Sequence, residues 1–146
     1  MTASSRGQLR RFVFDANAVL ALLEDRPGAA QRVRRILEDA SRNQMPVLLS
    51  AVNWGEVFYI AWRLHGEVQA LEAEAKLRQL PIAVVAVDRE RATRAATLKQ
   101  KHILGYADAF AAELAIERSA WLVTADPEFS KLGKALSVHP LPRHEK

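Results

Sequence analysis

Short, wholly apolar runs alternate along this chain with longer stretches in which apolar residues recur at helical spacing. The first run, Phe12-Val13-Phe14, leads directly into Asp15. A brief apolar run bounded by a polar residue suits a strand buried on both faces of a parallel sheet. Val47-Leu48-Leu49 after Pro46, Ile82 to Val87 after Pro81, Trp121-Leu122-Val123, and Leu136 to Val138 read the same way. Between these runs the pattern predicts helices over Ala18 to Leu23, Ala29 to Arg42, Ala51 to His65, Glu67 to Gln79 and Arg89 to Lys101. A further helix opens within Ile103 to Asp108 and runs to about Arg118, and a short one ends near Leu132. Strands alternating with helices argue for an α/β fold, a central parallel β-sheet flanked by helices on both faces.

Several polar residues stand where helices begin. Ser50, Asp88 and Asp126 are suited to cap the helices that follow them, and Pro127 after Asp126 reinforces that start. Asp15 could serve the next helix in the same way. The helix Ala51 to His65 is apolar on most sides, and its aromatics Trp54, Phe58 and Trp62 have ordinary core or packing spacing. The arginines of Ala29 to Arg42 and the basic residues of Arg89 to Lys101 read mainly as solvated faces.

Composition narrows the setting. A chain of 146 residues can form a single domain with a sizeable core, here about 11–142, with a polar stretch before it and a loose basic tail from Pro140 to Lys146. A hydrophobic content of 49% argues against disorder. Without cysteine, disulfides and thiolate metal sites are excluded. Met1 to Gln8 lacks the apolar segment of a signal peptide, and no apolar run is long enough to cross a bilayer. A cytoplasmic location is the expectation. The net charge of +4 and pI near 9.8 favour a polyanionic partner such as nucleic acid.

The chemistry rests on acids without local cations. Glu56 has Val52, Asn53, Tyr59 and Ile60 as its neighbours at helical spacing, and Asp108 has Leu104, Gly105, Ala111 and Ala112. An unpaired charge among apolar residues needs a partner from elsewhere. Asp15 and Asp126 directly follow predicted strands, so both should reach the carboxyl edge of the sheet. Glu56 and Asp108 lie early in helices that right-handed crossovers begin at that edge. If the four converge, they need a cation among them, and oxygen-only ligands favour Mg²⁺ or Mn²⁺. Such an ion activates water and neutralises charge on a phosphate under attack.

In these residues the chain resembles the PIN-domain ribonucleases. The resemblance lies in Asp15 with Asn17 after a hydrophobic strand, Ser50 followed by Glu56, Asp108-Ala109-Phe110-Ala111-Ala112, and Thr124-Ala125-Asp126 with Phe129. It covers Phe12 to about Pro142, and the layout looks most like the VapC toxins of bacterial and archaeal toxin–antitoxin pairs. It implies a PIN-like fold and one or two Mg²⁺ or Mn²⁺ ions held by Asp15, Glu56, Asp108 and Asp126. Asn17 and Thr124 would orient that site. It also implies an RNA substrate, a homodimer and a small inhibitory antitoxin. Ala16 departs from the family, which often has Ser or Thr there, so any hydroxyl supporting the ligands from that place is missing.

Other classes remain as alternatives. A haloacid dehalogenase-type phosphatase requires a second Asp where Asn17 stands. A receiver domain gives no reason for Glu56 in an apolar helix. A catalytically silent PIN-like RNA-binding module, or another metal-dependent phosphoesterase, shares the same acids.

Overall fold

A computed structural model describes residues 10–143. Its elements in chain order are β1 (Phe12–Phe14), α1 (Ala16–Leu23), α2 (Ala29–Arg42), β2 (Val47–Ser50), α3 (Ala51–His65) and α4 (Glu67–Leu77). They are followed by β3 (Ile82–Val85), α5 (Arg89–His102), α6 (Tyr106–Glu117), β4 (Trp121–Thr124), a 3₁₀ helix (Pro127–Ala135) and β5 (Ser137–Pro140). The strands form one sheet in the order β3-β2-β1-β4-β5, and every pairing is parallel.

Side chains alternate between the faces of a strand, and in the central strands both faces are buried. Phe14, Val47, Leu49 and Val123 pack with α1, α2, Val57 of α3 and Leu77 of α4. Val13, Leu48 and Leu122 turn the other way, onto Ala95 of α5, the alanine-rich α6, and Phe129 and Leu132. This two-sided burial is why the central strands are apolar throughout rather than alternating. Each fully buried Val, Leu or Phe contributes about 1.5–3 kcal/mol, so layers on both faces hold the sheet. Ala109, Ala111, Ala112 and Ala115 are fully buried, and their small side chains let α6 lie close on its neighbours.

Several expectations change in detail. Ile82 to Val87 is the strongest strand signal in the sequence, yet β3 stops at Val85 and forms one edge of the sheet. Its partner β2 ends at Ser50, which lies opposite Val85, so Ala86 and Val87 have no strand to pair with. The expected loose tail is partly ordered: Pro140 ends β5, and the Leu141 amide donates to the Thr124 carbonyl at 2.8 Å. Proline is tolerated there because β5 is an edge strand. Residues 144–146 of that tail, and the polar stretch Met1 to Gln8, lie outside the described residues. Trp62, read as having core or packing spacing, is 44% exposed, with the Phe58 ring edge-on to it. Among the described residues, no helix is long and apolar enough to cross a membrane.

Arg91 and Arg94 of α5, read as part of a solvated face, instead grip Glu113 of α6. The Arg91 guanidinium donates to both Glu113 carboxylate oxygens at 3.0 and 3.1 Å, and Arg94 adds a bond at 2.9 Å. Glu113 is 2% exposed, and Arg91 also reaches Glu117 at 3.0 Å. A buried carboxylate so paired is costly to leave uncompensated. The pairing therefore fixes α6 against α5.

Candidate active site

The strand order places a switch point between β1 and β4. The chain moves outward from β1 through β2 to β3, then crosses back to place β4 on the other side of β1. All carboxyl ends share one edge, and ligands of open α/β sheets bind there, at such a point. Asp15 and Thr124 occupy it. Asp15 follows β1 in extended backbone, with its amide directed at the Val123 carbonyl. Its Oδ1 accepts from the Ala18 amide at 2.8 Å, capping α1, so the helix begins at Ala16 rather than Ala18. Its Oδ2 accepts from the Thr124 hydroxyl at 2.5 Å. Thr124 Oγ1 in turn accepts from the Asp126 amide at 2.9 Å. Asp15 and Thr124 are each 2% exposed.

Asp126 caps the 3₁₀ helix, accepting from the Glu128 amide at 2.9 Å. Capping and a place at the sheet edge are thus combined in both Asp15 and Asp126. Asp108 stands half-buried in the first turn of α6, with Oδ2 folded back over Gly105. A Cβ at Gly105 would meet that oxygen at 3.2 Å, so a residue with no side chain gives the carboxylate room. Glu56 lies on α3 and accepts from Asn53 Nδ2 at 3.2 Å. The same Nδ2 donates to the carbonyl of Ala107, next to Asp108, at 3.1 Å. Among the described residues, Asn17 Oδ1 is buried without a hydrogen-bond partner, and so is Asn53 Oδ1.

The electrostatics record which acids share a field. Burial pushes the Asp15 carboxyl up from 3.8 to about 7, its two hydrogen bonds oppose that rise, and the charges of Asp108 and Asp126 add to it. Burial likewise lifts Asp108 to about 6, helped by Asp126, Glu56 and Glu128. Asp15, Asp108 and Asp126 therefore act on one another, while Glu56 is felt by Asp108. Among the described residues, none of these acids has an ion-pair partner. The site is rich in anionic oxygen and, among the described residues, has no ion-paired cation, which is the donor chemistry that suits Mg²⁺ or Mn²⁺. Among the described residues, no group of three His, Asp or Glu side chains is already arranged to hold an ion. Binding one would draw in the half-buried Asp108, Asp126 and Glu56 side chains, which unlike Asp15 have room to turn.

The sequence matches the PIN domain over residues 12–135. The chain belongs to the PIN domain family. No curated protein matches it in sequence. Among solved structures, a chain of VapBC2 from Rickettsia felis, bound to a fragment of promoter DNA, is 18% identical with a TM-score of 0.71. That match covers 89% of this PIN chain and 98% of the other. DNA-bound VapBC from Salmonella typhimurium is 17% identical, also at 0.71, with 90% and 98% covered. VapC20 from Mycobacterium tuberculosis, described as a sarcin-ricin loop cleaving toxin, is 18% identical at 0.67, with 84% and 95% covered. At these identities the likeness is one of fold.

Two residues around this PIN site escape a reading by sequence. Asn53 entered that reading only as an uncharged neighbour of Glu56, yet it is the group that bonds it. Glu128 adds a further negative charge near Asp108 while pairing with Lys131 at 2.7 Å. A polar Asn inside the apolar pattern of α3 was the available signal for the first. For the second there was none, because Glu128 sits in an exposed helical turn where acids are ordinary.

Proposed function

We propose that this PIN domain is a divalent-metal-dependent endoribonuclease of the VapC type, acting in the cytoplasm as the toxin of a toxin–antitoxin pair. The observation that carries the reading is the arrangement at the β1/β4 switch point. There a buried Asp15 is tied through Thr124 to Asp126, within the field of Asp108, with no ion-paired cation among these acids. Asp15, Glu56, Asp108 and Asp126 would hold Mg²⁺ or Mn²⁺. When bound, the ion supplies an activated water and neutralises charge on the phosphodiester.

The protein's own groups prepare that site. Thr124 directs one oxygen of Asp15 and the Ala18 amide directs the other, so the carboxylate is held before any ion arrives. Ligand carboxylates bind metal in their ionised form, so a proton retained by Asp15 or Asp108 leaves on loading. Asn17 lies two residues beyond Asp15 with a buried, unpartnered oxygen, in keeping with a role in orienting the site.

RNA is the favoured substrate because the surface is basic overall and because one fold neighbour is described as cleaving the sarcin-ricin loop. The functional unit is one PIN domain of about 11–142, paired in a homodimer and restrained by a small antitoxin. Two observations support the protein partners. Several fold neighbours are toxin–antitoxin complexes, and α3 and α4 expose Tyr59, Trp62, Leu64, Val68 and Leu71.

Incubation of purified protein with total RNA, in Mg²⁺, Mn²⁺ or EDTA, tests the reading. Discrete fragments with either metal, and none in EDTA, are expected. RNA that is bound but uncut with both metals would return the chain to the silent binding module.

A further inference from the structure

Asn53 has no exposed surface, yet it spends its polarity in an unusual way. Both donor bonds from Nδ2 leave its own backbone alone: one goes to Glu56 Oε1 at 3.2 Å and the other to the Ala107 carbonyl, 54 positions away in sequence, at 3.1 Å. Its Oδ1 is left buried with no partner among the described residues. The reverse orientation would point that oxygen at a carboxylate and a carbonyl, so the amide is held this way round by its surroundings. An unmet buried oxygen costs stability. A residue kept only to fill the space between α3 and α6 would do better as leucine.

What the amide achieves is a link between two acids on different helices. Glu56 has no other hydrogen bond or ion pair among the described residues, and Ala107 immediately precedes Asp108. The two carboxylates repel each other across this junction, so without a tether the Glu56 side chain would swing away. We infer that Asn53 is a positioning residue of the proposed metal site, fixing the Glu56 carboxylate against the turn of α6 that carries Asp108. This rests on the metal-site reading and adds to it a residue that touches neither metal nor substrate. Groups that orient metal ligands typically change metal affinity or activity by about 10- to 100-fold when removed.

The test is a double-mutant cycle on Mn²⁺ affinity, read by calorimetry without RNA. Asn53→Leu keeps the branched outline of the side chain, is somewhat larger, and removes both donors. It should weaken Mn²⁺ binding about 10- to 100-fold while leaving the metal-free protein folded. Glu56→Ala should weaken binding too, and adding Asn53→Leu to it should cost little more, because Asn53 acts through Glu56. Parental affinity in Asn53→Leu, or losses that simply add, overturn the inference while leaving the metal site standing. A parent that binds no Mn²⁺ overturns both. If Asn53→Leu does not fold, Asn53→Ala takes its place in the cycle, and parental affinity in that variant overturns the inference equally.

Discussion

Asp15→Asn should make the metal-free protein more stable, and by an amount that depends on pH. The substitution keeps the shape of the side chain. Asn caps a helix as well as Asp does, so the bond from the Ala18 amide survives. The Thr124 hydroxyl, a donor to Asp15 in the parent, can turn to accept from the new amide. What changes is the charge. Asp15 rises from 3.8 to about 7 on folding, through burial first and the charges of Asp108 and Asp126 after it. At 1.36 kcal/mol per pH unit, keeping it ionised costs the fold about 4 kcal/mol. Between those two values the folded protein holds a proton that the unfolded chain has released. Stability therefore falls as pH rises through the window, and the whole cost is present above it. A buried amide carries part of the same desolvation cost, so the net gain near pH 8.5 should be about 2 kcal/mol. That corresponds to a rise of roughly 4–8 °C in melting temperature for a chain of this size. Near pH 5 only about 1.6 kcal/mol of that cost has accrued, and the buried amide's own desolvation offsets it, so the gain should shrink to about zero. Urea titrations and melting curves in EDTA at the two pH values measure both quantities. A variant no more stable than the parent at pH 8.5, or a gain that does not change with pH, would refute the assignment of a strained, unpaired carboxylate.

Three further outcomes are expected. Saturating Mn²⁺ should raise the parent's melting temperature, with about 2.7 kcal/mol gained at a hundredfold excess over the dissociation constant, and Asp108→Asn should respond much less. An equal response would remove Asp108 from the site. Glu113→Gln should cost about 2 kcal/mol in urea unfolding, because Arg91 keeps Glu117 but loses the charge of its buried partner; a variant as stable as the parent would contradict a clamp between α5 and α6. RNA affinity should fall steeply between low and moderate salt, as counterion release requires, and a flat salt profile would contradict binding through the phosphate backbone.

The fold was legible because two-sided burial leaves wholly apolar strands, and Phe12-Val13-Phe14 and Trp121-Leu122-Val123 show that signature plainly. Order within the sheet was not legible. Ile82 to Val87 looked like the most secure strand, but hydropathy reports propensity and not position, and β3 lies at an edge with Val84 46% exposed. The acids stood out because each lacked a cation within its own element. The groups that steady the surrounding structure were hidden, since their bonds cross long distances in the chain. Asn53 reaches Ala107 and Arg91 reaches Glu113. Local pattern does not name the distant partner of such a residue, so Arg91 passed for a solvated arginine and Asn53, polar within an apolar helix, for a neutral neighbour.

The most direct test of the central claim is the rate of Mn²⁺-dependent RNA cleavage by the parent and by Asp108→Asn, with both proteins checked for folding by circular dichroism. Asp108 lies in the first turn of a helix capped by Gly105, and its carboxylate makes no hydrogen bond among the described residues, so loss of activity there isolates its chemistry. Cleavage by the parent that vanishes in EDTA, and a fall of at least about a hundredfold in the variant, are what a metal site at the β1/β4 switch point predicts. Undiminished cleavage by a folded Asp108→Asn would contradict it.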